Sequence, residues 1–220
     1  MPNAHPHPAP AGRLRLAVFD SDGTLADTLP WMRSVYNDVA RKHGLRTFSP
    51  EEFERHRGLH GSSLLDAAGV PLWKLPLLVR DIRRRMAAHV GPLLPFPGVP
   101  AMLRDLRAAG FQLAVVSSNS RRNVERILGP DLVPLFALFD CGASMFGKAS
   151  KLRAVLRRLG VEGGEAVYLG DELRDAEAAR DAGLRFAAVT WGQHHAAVLR
   201  SATPDFVFDH VEKIAPALSR

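Results

Sequence analysis

Six short, largely apolar runs punctuate the chain, at residues 13–19, 111–116, 137–139, 166–169, 185–190 and 205–208. Short runs bounded by turn residues predict buried strands. Between the later runs, apolar positions recur at helical spacing over residues 99–109, 121–128, 151–159 and 172–182. Each of these stretches is followed by a glycine (Gly110, Gly129, Gly160 and Gly183), the residue that most readily takes the left-handed conformation at a helix end. Helix and strand alternate from residue 98 onward, which predicts an α/β protein with a mostly parallel sheet.

Residues 28–97 carry no such strand. Residues 30–43 read as a helix closed by Gly44, and 62–68 and 75–88 as two more. Ser49-Pro50-Glu51-Glu52 has the form of a capping box with proline at the first helical position. The organisation expected is a disordered tail at 1–12, an α/β core from 13–27 and 98–220, and a helical cap at 28–97 inserted after the first strand as a lid. Residues 91–97 (GPLLPFP) would be the return linker.

The 220 residues suffice for one core plus a small inserted domain, and 46% hydrophobic with 24% charged is ordinary for a globular chain. The formal charge of +6 favours anionic ligands. The basic residues are scattered over helix faces, as at Arg121-Arg122 and Arg157-Arg158, and no nucleic-acid motif accompanies them, so nucleic acid is not an expected partner. Cys141 stands alone, which excludes an intrachain disulfide and fits a cytoplasmic protein; it reads as a buried thiol. No stretch of 18 apolar residues suggests a membrane span, and residues 1–12 lack the apolar core of a signal peptide.

Ligands of open parallel sheets sit beyond the carboxyl ends of the strands. The polar residues at those ends are Asp20 and Asp22, Ser117 and Asn119, and Asp171 and Asp175. In extended backbone Asp20 and Asp22 face the same side, and Gly23 permits a sharp turn after them. Two close carboxylates disfavour each other's ionisation unless a cation intervenes or one stays protonated. One can then attack or bind metal while the other carries a proton. Asp171 and Asp175 are spaced to reach one cleft edge from a helix start, and an oxygen-only set suits Mg²⁺. Ser117, Ser118 and Asn119 offer donors to phosphate oxygens at a strand end, and Lys148 offers a compact charge. Taken singly, each group also fits a plainer role: an Asp-Gly turn, acidic residues at a helix start, an ordinary cap, a surface lysine.

In order, DSDGTL, VVSSN, GKASK and GDELRD resemble the four motifs of the haloacid dehalogenase-like hydrolase superfamily, across residues 18–192. The insert between the first two resembles the cap of its phosphoglycolate-phosphatase-like branch. The resemblance implies a Rossmann-like α/β core with an inserted α-helical cap domain and a Mg²⁺-dependent phosphatase acting on a small phosphorylated metabolite. It implies Asp20 as the nucleophile, Asp22 as acid and base, and Ser117 and Lys148 as stabilisers of the transferring group. Lys151 is an alternative to Lys148, because Ala149 stands where the family often has proline. Asp171 would hold the metal with the Asp20 carboxylate and the Asp22 carbonyl, and Asp175 would act through water or behind these ligands. An aspartate at position 22 sets the chain apart from the dehalogenases proper, which lack one there.

Arg57 and His60, flanking glycines in EFERHRGLHGSS, are candidates to bind an anionic leaving group from the cap, or else form a solvated basic helix end. Trp31, Trp73 and Trp191 are expected to pack or to line the cap seam, and His194-His195 to open a helix. A phosphomutase on the same scaffold, or a non-catalytic binding protein, are the competing functions.

Overall fold

The computed structural model describes residues 12–57, 66–89, 93–142 and 147–220. Its centre is a six-stranded sheet in the order β3-β2-β1-β4-β5-β6, every neighbouring pair parallel. The strands are β1 (Leu16–Phe19), β2 (Gln112–Ser117), β3 (Leu138–Cys141), β4 (Ala166–Gly170), β5 (Arg185–Val189) and β6 (Phe206–Phe208). All four residues of β1 are buried, as befits a central strand covered on both faces.

Alternate residues of each strand serve different cores. Ala17, Phe19, Leu113, Val115, Val167 and Leu169 pack on one side with residues of helices α4 (Val99–Ala108), α5 (Arg121–Leu128) and α9 (Ile214–Leu218). Leu16, Val18, Ala114, Val116, Ala166 and Tyr168 pack on the other with α6 (Lys148–Leu159), α7 (Leu173–Ala182) and α8 (Ala196–Ser201). The chain builds outward from β1 through β2 and β3 on one side and through β4, β5 and β6 on the other. The order therefore reverses between β1 and β4, which opens a crevice at their carboxyl ends.

The insert contains α1 (Leu29–Lys42), α2 (Pro50–His56) and α3 (Leu75–His89), with no sheet strand among its described residues. The capping box forms: Ser49 Oγ accepts from the Glu52 N–H, and the Glu52 carboxylate accepts from the Ser49 N–H. The cap has a small core of its own, where the Tyr36 ring stacks on Phe48 at 5.2 Å and meets Phe53 edge-on at 5.4 Å. Asn37 ties this together, donating to the Phe48 carbonyl and accepting from its N–H.

Several expectations need adjustment. The helix expected from residue 151 begins at Lys148, one turn earlier, with Gly147 as its cap. β2 and β3 reach Ser117 and Cys141 because these residues pair in the parallel ladder. Trp191 packs edge-on against Phe96 and donates to the Thr24 carbonyl, and Trp31 packs against the cluster of Ala26, Met86, Leu93 and Ile127. Trp73, by contrast, is 69% exposed beside the equally open Leu72, with Lys74 Nζ over its ring. Residues 66–67 are helical, but most of the helix expected at 62–68 lies outside the described residues, as do 91–92 of the linker and the tail up to residue 11. Gly12 is described, and its carbonyl accepts from Arg185. No described helix is long and apolar enough to cross a membrane.

Candidate active site

Asp20 leaves β1 still in register, its N–H donating to the Leu169 carbonyl of β4 at 2.9 Å. Its Oδ1 accepts from the Ser21 N–H (2.7 Å) and its Oδ2 from Lys148 Nζ (2.6 Å). Lys148, in the first turn of α6, is only 3% exposed and also donates to Asp175 Oδ1 at 2.5 Å. Asp175, in the first turn of α7, accepts from the Glu172 N–H and from the Tyr168 hydroxyl at 3.4 Å. Asp171 leaves β4, its Oδ1 accepting from Thr24 Oγ1 (2.8 Å) and its Oδ2 from the Gln193 N–H (2.7 Å). Oxygens of Asp20, Asp171 and Asp175 lie within 4.8 Å of one another. Gly23 has φ of +77°, and a side chain there would strike the Asp171 carboxylate, so position 23 needs glycine for both conformation and space.

Burial and mutual repulsion dominate the electrostatics. Burial, reinforced by Asp175 and opposed by Lys148, pushes Asp20 up to about 6. Burial raises Asp171 well above the usual carboxylate range, with Glu172, Asp175 and Asp20 adding to it. Asp22 is raised by burial too, against the pull of the Thr28 hydroxyl and the Asn119 amide. Burial works against the charge on Lys148, but Asp175 and Asp20 hold it well above its ordinary value. Lys148 thus bonds to two of the three clustered carboxylates, and the half-buried Arg174 nearby is paired with Glu172. The cluster keeps an excess of negative charge on oxygen donors, which fits a hard divalent cation such as Mg²⁺.

Such a site makes metal binding pH-dependent, because the ion must displace protons from the carboxylates. Mg²⁺ is expected to raise the melting temperature at pH 7.5, and the increment should shrink at pH 5, below the point near 6 where Asp20 takes up a proton. Differential scanning fluorimetry with and without Mg²⁺ at both pH values checks this. An equal increment at both would remove these carboxylates as the binding site.

The fold therefore gathers Asp20, Lys148, Asp171 and Asp175 into one buried group. Lys151 lies elsewhere, paired with Asp140 at 3.0 Å on the surface, so the lysine beside Asp20 is Lys148. Ser117 is buried at the end of β2, its Oγ accepting from the Asn119 N–H. The Ser118 carbonyl accepts from Arg83 of the cap. Asn119, expected beside the phosphate, turns its amide to the Asp22 carboxylate at 3.2 and 3.3 Å. Arg57, expected to face a leaving group, spends its guanidinium on the Gly192 carbonyl (2.6 Å) and the Gln193 carbonyl (3.0 Å), strapping cap to core. His60 lies outside the described residues. His195 caps α8 as expected of a helix start, while His194 is buried and its Nδ1 accepts from the Leu173 N–H at the start of α7.

The contacts of Thr24, Tyr168 and the Gln193 N–H with the carboxylates escaped the sequence reading, which gave Trp191 and His194 only structural roles. The loop 191–194 follows β5, the neighbour of β4, so the same strand-end argument that found Asp171 applies to it. Cys141 is half-buried, and burial pushes its thiol up to about 12, which leaves it unreactive.

Comparison with known proteins fits this geometry. A family model described as haloacid dehalogenase-like hydrolase matches residues 17–189. The chain is 31% identical to a phosphoglycolate phosphatase of Synechococcus elongatus over 94% of its own length and 98% of that protein. It is 27% identical to the pyrophosphatase PpaX of Bacillus cereus, over 94% and 97% of the two chains. In structure it is similar to a haloacid dehalogenase-like family hydrolase from Streptococcus pneumoniae, with a TM-score of 0.76 at 20% identity, covering 93% of this chain and 98% of that one.

Proposed function

The chain belongs to the haloacid dehalogenase-like hydrolase family and is a phosphatase of its phosphoglycolate-phosphatase-like branch, and on that premise we propose that it hydrolyses small phosphate monoesters through a phosphorylated Asp20. The observation that carries this reading is the buried lysine, Lys148, bridging Asp20 and Asp175 beside Asp171. Asp20 and Asp171, with the Asp22 carbonyl, would hold Mg²⁺, and Asp175 would support them from behind. When bound, the ion supplies charge neutralisation for the phosphoryl oxygens.

Asp20 attacks phosphorus in line; the Asp20–phosphorus bond forms as the ester oxygen departs. Asp22 gives that oxygen its proton. Lys148 and the Ser117 hydroxyl steady the negative charge on the transferring oxygens. Asp22, now ionised, takes a proton from water, which attacks the phosphoryl group and returns Asp20 and free phosphate. The raised position of Asp22 suits a group that must hold a proton in one half-reaction and accept one in the next.

The helical insert at 28–97 acts as a cap that closes the crevice to bulk water and selects small substrates. Arg57 contributes by holding the cap on loop 191–194. Phosphoglycolate heads the substrate panel on the strength of the Synechococcus relative, and the lone unreactive cysteine suits a cytoplasmic setting. The test is phosphate release from phosphoglycolate, pyrophosphate and several sugar phosphates, in Mg²⁺ and in chelator. Release from a monoester that chelator abolishes supports the proposal. Release from pyrophosphate alone would move the substrate class, and an isomerised sugar phosphate without free phosphate would make the protein a mutase.

A further inference from the structure

Asn123 is an asparagine on α5, 1% exposed, with no part in the reaction as written. Its Nδ2 donates to Asn119 Oδ1 at 3.0 Å and to the Arg83 carbonyl of cap helix α3 at 3.4 Å. Asn119 Oδ1 also accepts from the Ser120 N–H at 2.8 Å. A backbone N–H can only donate, so the atom facing it is the amide oxygen, and the orientation of the Asn119 amide follows. Its NH₂ then points the other way, to both oxygens of Asp22 and to Met86 Sδ at 2.8 Å. The Asn119 backbone is fixed as well, its N–H on Ser117 Oγ and its carbonyl on the Gly142 N–H at 2.7 Å. The contacts of the Asn119 oxygen and backbone thus leave its NH₂ facing the Asp22 carboxylate, with Met86 Sδ beside it.

A carboxylate that protonates a leaving oxygen must be held to within a fraction of an ångström of its productive place. The Asp22 carboxylate is not one of the three gathered around Lys148; it accepts from the Asn119 amide through both oxygens, with the Thr28 hydroxyl also acting on it. We propose that Asn119 and Asn123 are positioning residues for Asp22: Asn119 grips the carboxylate, and Asn123, buried between core and cap, holds Asn119 in register. This rests on the reading of Asp22 as acid and base. It gives Asn119 a role different from the phosphate contact expected of it, and gives one to Asn123, which no sequence motif marked.

An aimed acid leaves a signature in the leaving group. An alkoxide needs its proton on departure, whereas p-nitrophenolate leaves readily without one. The experiment measures first-turnover rates in Mg²⁺ with phosphoglycolate and with p-nitrophenyl phosphate, for wild type, Asn119→Ala, Asn123→Ala and Asn123→Leu, with Asp22→Asn as the benchmark. Asn123→Leu keeps the branched outline of the side chain, leaves no cavity and removes its donor, so it separates lost positioning from a collapsed core. Asn119→Ala should slow the phosphoglycolate step about 100-fold and each Asn123 variant about 10-fold, with losses on p-nitrophenyl phosphate smaller by about ten-fold for Asn119→Ala and by at least about three-fold for the Asn123 variants. The double variant Asn119→Ala/Asn123→Ala should be no slower than Asn119→Ala alone, because Asn123 acts through Asn119.

Equal losses on the two substrates would overturn the proposal in favour of phosphate binding or simple destabilisation. Additive losses in the double variant would overturn the part given to Asn123. If Asp22→Asn lacks the leaving-group signature, the acid/base reading fails and the relay with it. If Asp22→Asn shows the signature and the asparagine variants do not, the relay alone fails.

Discussion

Asp20→Asn is expected to lower kcat by about 10⁴-fold or more, the scale on which loss of a catalytic nucleophile is felt. The amide is nearly isosteric, and its oxygen can still accept from Lys148, though its NH₂ then faces the Ser21 N–H and that hydrogen bond is lost; it cannot form the bond to phosphorus. The site should otherwise persist, because the substitution removes a buried charge that the fold already disfavours. At pH 8 in chelator the variant should therefore melt no lower than wild type. A labelled phosphoenzyme, trapped by acid quench during turnover of the wild type, should be absent in Asp20→Asn. Activity within ten-fold of wild type would remove Asp20 as the nucleophile.

Lys148→Met is expected to damage both activity and stability. It takes the counter-charge from Asp20 and Asp175 while leaving both carboxylates buried. Breaking a buried pair in this way costs about 3–5 kcal/mol, or a melting temperature lower by about 10 °C for a chain of this size. The sign of the pH dependence follows from the direction of the shift. Asp20 stands at about 6 with the lysine present, above its ordinary 3.8, and goes higher without it. A carboxylate raised by folding is tolerated below its unfolded value and costs stability as pH rises through its folded one. In chelator, the deficit of Lys148→Met should accordingly be larger at pH 8 than at pH 5. Thermal melts at the two values check it, and a deficit independent of pH would mean that the lysine serves packing rather than charge. Turnover should fall about 10³-fold, since the proposed mechanism loses the charge it places on the transferring oxygens.

The parts of the fold that were legible in the sequence are those with short-range causes. Gly129, Gly160 and Gly183 mark helix ends because a left-handed or extended exit needs little but the glycine itself. The capping box at Ser49 and Glu52 closes within one turn. Continuous apolar runs such as Leu16–Phe19 record a strand covered on both faces. The strand-end carboxylates were legible for a related reason: in a parallel sheet every carboxyl end lies on one edge, so Asp20 and Asp171 had to be neighbours once β1 and β4 paired. The start of α6 was misplaced because Lys148 gives no sign in the sequence that it is buried; its burial depends on two carboxylates from other parts of the chain.

The sequence by itself thus determined the α/β class, the site of the insert, the carboxylates at the strand ends and, by resemblance, the kind of reaction. Only the tertiary structure decided which groups meet. Asn119 finds Asp22 across 97 positions, Arg57 finds Gln193 across 136, and Thr24 finds Asp171 across 147. A side chain's partner is fixed by which buried donors remain unmet after the backbone has folded, since an unpaired polar group in the interior costs more than a hydrogen bond gains. That condition is three-dimensional. It places the Asn119 amide on the Asp22 carboxylate, the Arg57 guanidinium on the Gly192 and Gln193 carbonyls, and Lys148 rather than Lys151 beside Asp20.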